Sequence, residues 1–248
     1  MGMGSFVRRV ASGVRRAVLS VVGPRLDRAY LIPDLPRPDL TAHQALQERV
    51  IEAGDRPGLR ILEVGSREVT GSYGLRQRLK HAEYVGFDYY PGPNVDVAGD
   101  AHRLSKLVEG RFDVVFSTAV FEHLAMPWVV AEEIARVLKP GGMLFLETHF
   151  SYSAHERPWH FFQFSDMGLR ALFSPALGFE CVEATLQNPI VGRFSAYADR
   201  YLRFRPVPAL YCHATIVARK TRDVEGFDWR KITVAEVVGE THYPPPVG

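Results

Sequence analysis

From residue 59 onward, short runs of β-branched and aromatic residues alternate with stretches whose apolar positions recur every three or four residues. Leu59–Val64, Glu83–Phe87, Val95–Ala98, Val114–Ser117 and Met143–Glu147 read as strands, and Tyr73–Lys80, Ala101–Val108 and Pro127–Leu138 as helices. In the last helix Val130, Ile134, Val137 and Leu138 share a face, and Glu132, Glu133 and Arg136 are expected to face water. Strand and helix in alternation imply parallel strands joined by right-handed crossovers, a doubly wound α/β sheet. Ser165 can cap a further helix through Leu172. Phe179–Thr185 and Leu210–Ala218 then read as two last strands, spaced as an antiparallel pair. After Arg222 the pattern lapses, and residues 222–248 are expected to form a surface tail.

Ahead of the sheet, Phe6, Val7, Val10, Val14, Ala17, Val18, Val21 and Val22 share one side at helical spacing, with Arg8, Arg9, Arg15 and Arg16 largely opposite. Residues 1–23 therefore predict a basic amphipathic helix suited to an anionic membrane surface. Packing on its own domain or on a partner subunit is the competing reading. Arginines interrupt any signal-peptide core, and Phe6 stands where a myristoylation signal needs Ser or Thr. Pro24, Pro33, Pro36 and Pro38 make residues 24–40 a linker. Thr41 and Gln44 then form a capping box for a helix that stops at Gly54. The main domain is expected to span residues 41–221.

Composition narrows the class. The 248 residues are 46% apolar and 23% charged, which excludes disorder for the bulk of the chain. The longest uncharged stretch, Pro206–Ala218, holds two prolines and a histidine and cannot span a bilayer. Cys181 and Cys212 lie far apart without a CxxC pattern, so neither a disulfide framework nor a zinc site is expected, and a reducing cytoplasm is the default. The net charge is +2, but residues 1–30 hold six arginines and one aspartate, a net of +5 that leaves −3 for the rest. That balance argues against a nucleic-acid partner. Arg193, Arg200, Arg203 and Arg205 do interleave with Phe194, Tyr197, Tyr201 and Phe204. Their bland reading is a connection between strands, with the aromatics packed and the arginines solvated.

The candidate chemistry begins where the first strand ends, at Leu62-Glu63-Val64-Gly65-Ser66. A glycine there lets the backbone approach a ligand, and Asp88, 23 residues later at the end of the second strand, suits the two hydroxyls of a ribose. Gly99-Asp100-Ala101 follows the third strand, placed to read an adenine edge. Residues from about 59 to 185 resemble a class I S-adenosylmethionine-dependent methyltransferase of the small-molecule type. The resemblance rests on those segments and Val85-Gly86-Phe87-Asp88, on Phe112-Asp113-Val114-Val115-Phe116-Ser117, and most specifically on Phe121-Glu122-His123-Leu124 and Ala135-Arg136-Val137-Leu138-Lys139-Pro140-Gly141-Gly142. It implies a Rossmann-like seven-stranded sheet with the last strand antiparallel, and S-adenosyl-L-methionine as cofactor. By position, Glu63, Gly65, Ser66 and Gly71 would hold its methionine end. Asp88 would bind the ribose, Tyr89 would pack on the adenine, Asp100 and Ala101 would touch its edge, and Ser117 or Thr118 would line the floor. The family's GxGxG is altered: Arg67 and Val69 replace the second and third glycines, and Gly71-Ser72 comes later.

The methyl acceptor is expected to meet Glu147–Phe150 and the loop Ser151–Phe164, which is rich in histidine and aromatics as a small-molecule pocket would be. His149 is the first choice for a general base, followed by His155 and His160, with a pocket-wall role as the alternative for each. Relatives of this type carry a His-Pro-aromatic stretch here, which His155, Pro158 and Phe161–Phe164 match loosely; Trp159 and His160 depart from it. No metal is expected of these histidines with Glu147 or Asp166, because spacings of six and five residues fit no established signature. Glu122-His123 is read as a structural anchor of the loop after the fourth strand. The expectation is O-methyl transfer to a small acceptor, a sugar or lipid-linked hydroxyl, by a cytoplasmic or membrane-peripheral enzyme. An inactive cofactor-binding scaffold or membrane adaptor is the rival from another class, and an NAD-dependent oxidoreductase the enzymatic one. Oligomeric state is not readable.

Overall fold

A computed structural model describes residues 43–69 and 74–239. The expected helix over residues 1–23, the 24–40 linker, the Thr41 cap, Gly71 and the terminal proline run lie outside the described residues. Among the described residues, the body formed by 43–69, 74–188 and 211–239 is built on a seven-stranded sheet. Its strands are β1 (Arg60–Val64), β2 (Glu83–Asp88), β3 (Val97–Ala98), β4 (Phe112–Thr118), β5 (Leu138–His149), β6 (Phe179–Pro189) and, after a two-stranded hairpin, β9 (Tyr211–Lys220). The spatial order is β3-β2-β1-β4-β5-β9-β6. Strands β1 to β5 pair in parallel, and β9 lies antiparallel to β5. The order reverses between β1 and β4, so the carboxyl ends of those two strands flank the switch point.

Helices cover both faces because the strands are apolar on both. On one face α1 (His43–Gly54) buries Leu46 and Val50 against Ile61, Val114, Phe116, Phe145 and Val217. The short α2 (Leu75–Arg78) adds Leu75. On the other, α4 (Pro127–Val137) buries Val130, Ala131, Ile134 and Val137, and α5 (Asp166–Leu172) buries Leu169. Each such aliphatic side chain contributes about 1.5–3 kcal/mol. Pro127 sits in the first turn of α4, where a missing N–H costs nothing, and Ser165 caps α5 by accepting from Gly168 N.

Four expectations need correcting. Glu133 is buried and not solvated: its carboxylate accepts Ser105 N at 2.7 Å, satisfying the first turn of α3 (Leu104–Leu107). Strand β5 starts at Leu138, not Met143, because Leu138 pairs with Phe112 before the register shifts between Phe112 and Val114. Residues 222–239 are not a loose tail. Phe227 and Trp229 pack against the larger core, Thr233 and Glu236 form a capping box on α6 (Val234–Val238), and Asp223 joins Arg111 at 2.9 Å. The arginine- and aromatic-rich segment forms its own hairpin, β7 (Gly192–Arg193) with β8 (Pro206–Val207), within residues 189–210. Its aromatics are not packed: Tyr197, Tyr201 and Phe204 are exposed, while Arg193 and Arg203 donate to the carbonyls of Phe204 and Ala198.

Candidate functional site

The carboxyl ends of the parallel strands gather two groups of side chains, one on each side of the switch point. The first lies at β1, β2 and β3. Gly65 ends β1 with a φ of 87°, a conformation glycine adopts without penalty. A Cβ there would meet Val120 Cγ2 at 2.1 Å, so the turn presses directly on the loop after β4. The amides of Gly65 and Ser66 both donate to the Phe87 carbonyl, at 2.8 and 3.1 Å. Neither of these two amides is then free to cradle a pyrophosphate, the feature a nicotinamide site of this topology needs.

Ser66 does not aim its hydroxyl at a ligand. It donates to the Asn94 carbonyl at 2.9 Å, and Asn94 returns a bond to the Ser66 carbonyl and another to Tyr84 Oη. Tyr84 Oη in turn donates to Glu63 at 2.5 Å. Burial and the adjacent Glu63 carboxylate push the Tyr84 hydroxyl far above its ordinary range, so it stays a donor. Glu63 and Ser66 thus brace the β1 turn against the β2–β3 connection. Gly86 is forced by the same network, since a Cβ would lie 2.1 Å from the Asn94 carbonyl.

Asp88 stands at the end of β2 as expected, but it is engaged. Arg67, which occupies the place of the second family glycine, reaches it through Nε at 3.2 Å and through its own amide at 3.3 Å. Tyr90 N adds a bond at 3.2 Å. Tyr89 beside it is exposed and available to cover a ring. At the end of β3, Asp100 caps the turn Ala101–Arg103 through His102 N and binds His102 Nδ1 at 2.6 Å. Burial raises the Asp100 carboxyl, but the His102 bonds outweigh it and hold the carboxyl below its usual range. Ala101 is buried beside it. Ser117 is fully buried and spends its hydroxyl on the Val64 carbonyl at 2.9 Å, so it ties β4 to β1; Thr118 is half-buried at the strand end.

The second group lies at β4 and β5. The turn Phe121–His123 follows β4 and buries Glu122 completely. Thr148 donates to one Glu122 oxygen at 2.5 Å, and His149 Nδ1 lies 2.8 Å from the other. The second approach is off the N–H axis, so neither atom has a well-aligned bond. Burial pushes the Glu122 carboxyl up, yet His149 and Thr148 outweigh it and hold it below the ordinary carboxylate range. The Glu122 carbonyl accepts the amides of Phe161 and Phe162, which fastens the histidine-rich loop here. His149 is almost buried, stacked on Tyr152 at 4.6 Å and 16°, and faces His213 across the β5–β9 pair.

All three expected histidines meet. The ring of His155 lies 5.2 Å from His149 and 4.7 Å from His160. Burial and the neighbouring His155 and His123 push the His160 imidazole down. Tyr152 joins them from the expected acceptor loop, and the fold adds His123, which the sequence reading took with Glu122 as a structural anchor. No spacing rule signals His123, since it arrives from the end of a different strand.

A doubly wound sheet with an acid at the ends of both β2 and β3 and a bare turn after β1 defines a nucleoside-cofactor domain. The chemistry present fits S-adenosylmethionine: two carboxylates for the adenosine, an exposed tyrosine beside them, and a glycine turn whose Cβ space is filled. Residues 62–146 match the family model described as a methyltransferase domain. The ubiquinone biosynthesis O-methyltransferase of Maricaulis maris is 32% identical over 116 residues, covering 39% of this chain and 43% of that one. An uncharacterized methyltransferase of Mycobacterium sp. strain KMS is 33% identical over 98 residues, covering 36% and 38%. The chain therefore spans about two fifths of the length of these curated relatives. Among solved structures, a SAM-dependent methyltransferase from Archaeoglobus fulgidus shares the fold with a TM-score of 0.51, at 17% identity over 72% of this chain and 95% of that one. The Burkholderia thailandensis 1,6-didemethyltoxoflavin-N1-methyltransferase, solved with S-adenosylhomocysteine, has a TM-score of 0.50 at 16% identity over 90% and 92%. Residues 62–146 are thus similar to the methyltransferase-domain family, and the sheet shares the fold of S-adenosylmethionine-dependent methyltransferases.

Proposed function

We propose that the chain transfers the methyl group of S-adenosylmethionine to a hydroxyl of a small acceptor, a sugar or a lipid-linked alcohol or phenol. The Glu122–His149 pair at the end of β5 carries this reading. Transfer to an oxygen needs a group that takes the hydroxyl proton, and a buried carboxylate beside Nδ1 fixes an imidazole with Nε2 as the base. The cofactor supplies the electrophilic methyl on a sulfonium. Gly65, Asp88, Tyr89, Asp100 and Ala101 would hold it, and the loop 151–164 would orient the acceptor and exclude water. The name of the Maricaulis relative supports oxygen as the acceptor atom. The basic stretch 1–23 supports a lipid-borne acceptor reached from the inner membrane face.

Labelled S-adenosylmethionine with a panel of sugar, phenol and lipid-linked hydroxyls tests the reading. His149→Ala should lower kcat about 10²–10⁴-fold on the methylated acceptor while leaving S-adenosylhomocysteine affinity unchanged. Turnover on amines alone, or a His149→Ala rate within about threefold of wild type, overturns it. Cofactor binding with no turnover on any acceptor favours the scaffold. Liposome pelleting with and without residues 1–30 tests the membrane contact.

A further inference from the structure

Glu122, His123 and His155 place one ligand atom each within 4.8 Å of one another. This is not the set whose spacing argued against a metal; the turn after β4 supplies two members and the loop after β5 the third. His123 Nδ1 lies 2.6 Å from the Trp159 carbonyl, and His155 Nδ1 lies 2.9 Å from the Ser153 carbonyl. A carbonyl only accepts, so each Nδ1 donates its N–H there and Nε2 is the atom left to meet a ligand; His123 Nε2 also stands 3.7 Å from Glu156 Oε2. A backbone carbonyl on Nδ1 is also the arrangement that orients a metal-binding histidine. His123 Nε2 stands 3.9 Å from Glu122 Oε1, and that oxygen is buried without an aligned hydrogen bond. His149 Nδ1 lies 2.8 Å from the same oxygen, so a cation held there would share the carboxylate with that ring.

We propose that Glu122, His123 and His155 form a divalent transition-metal site of the two-histidine, one-carboxylate type. Two imidazoles select Zn²⁺, Fe²⁺, Co²⁺ or Mn²⁺ over Mg²⁺ or Ca²⁺, and three protein ligands leave positions open for water or an acceptor oxygen. Ligands about 2.1 Å from an ion stand about 3.4 Å apart in a tetrahedral site, so binding draws the loop of His155 inward by about 1 Å. The site stands on this cluster alone and does not depend on the acceptor proposed above. An ion there would touch the carboxylate that holds His149, and so lie where it can lower the pKa of an acceptor hydroxyl.

The test uses the full chain with any affinity tag removed, stripped with chelator and titrated with Co²⁺. Visible absorption and the metal-to-protein ratio are read together, and S-adenosylhomocysteine calorimetry is run on the same samples. Wild type should take up about one equivalent with d–d bands. His123→Ala and His155→Ala should each weaken uptake at least about tenfold, and His81→Ala, an exposed histidine elsewhere, should not. His155 lies on a loop, so its variant remains informative if His123→Ala fails to fold. Less than a tenth of an equivalent at about hundredfold excess, in protein that still binds S-adenosylhomocysteine, overturns the metal site alone. So does uptake unchanged in His155→Ala. Metal uptake without S-adenosylhomocysteine binding leaves the site standing and overturns the cofactor assignment instead.

Discussion

Gly65→Ala probes the junction on which the two halves of the site depend. Gly65 has a φ of 87°, and a methyl group there would sit 2.1 Å from Val120 Cγ2. The backbone part of the cost is about 1–2 kcal/mol for an L-residue in left-handed space. The contact part is about 1–3 kcal/mol, because a β-branched valine has few rotamers to retreat into. Together they predict a loss of about 2–5 kcal/mol, or a fall of roughly 5–20 °C in Tm for a domain of this size. Val120→Ala alone should cost about 1 kcal/mol, since Val120 is half-buried. The double variant separates the two parts: removing the valine relieves the contact but not the φ. Its loss should therefore fall about 1–3 kcal/mol short of the sum of the single losses. Urea denaturation of the three variants and wild type measures the cycle. Additivity within about 0.5 kcal/mol would refute the packing argument and leave only backbone strain.

Lys220 is buried and donates to the carbonyls of Ala135 and Leu138 at the end of α4 and to Asp223 at 2.7 Å. Lys220→Met should cost about 2–4 kcal/mol in urea denaturation, because it strands those carbonyls; a loss under about 0.5 kcal/mol contradicts the bonding scheme. Bonds from Arg111 and Lys220 hold the Asp223 carboxyl below its ordinary range. Its contribution is thus present above the unfolded pKa, near 3.9, and is lost as the pH falls through the lower folded value. Asp223→Asn should flatten the acid limb of a denaturation-midpoint profile below about pH 4, and an unchanged limb counts against the linkage. Arg67→Ala frees the carboxylate of Asp88 from an ion pair worth at most about 1 kcal/mol. Calorimetry should show S-adenosylhomocysteine binding up to about fivefold tighter, with the difference shrinking in high salt; weaker binding would mean that Arg67 holds the ligand.

The sequence carried the sheet and its cofactor edge because both are local. Val130, Ile134 and Val137 name the buried face of α4 by spacing alone, and Asp88 and Asp100 end strands that their own runs define. What stayed hidden depends on partners far along the chain. Glu133 looks solvated on a helical wheel, and beside the local Arg136 it is the amide of Ser105, 28 residues away, that makes its burial tolerable. Arg67 reads as a lost glycine until Asp88 is seen beside it. His149 stood out in the sequence by its place at a strand end, but the carboxylate beside it comes from Glu122, 27 residues earlier in a different strand's loop. The Glu122 role read from the sequence, anchoring that loop, is present in its carbonyl bonds to Phe161 and Phe162. The side chain does the separate work of facing His149, and no spacing foretells that.

These long-range pairs make the two halves of the site one mechanical unit. The Gly65 turn shapes the cofactor half through the Phe87 carbonyl and the Asn94 network. Its far side meets Val120, the residue before the turn that carries Glu122 and His123. Ser117 closes the same seam from below by bonding the Val64 carbonyl. A displacement of the β1 turn is therefore passed within two residues to the carboxylate beside His149. Close-packed interiors transmit strain of this kind instead of absorbing it. The substitution of Arg67 and Val69 for glycines then has a physical sense: this turn is pinned by Arg67 to Asp88 and by glycine to Val120. The relative placing of the two groups in this chain thus rests on a turn held from both sides, by Arg67 on Asp88 and by the packing of Gly65 on Val120.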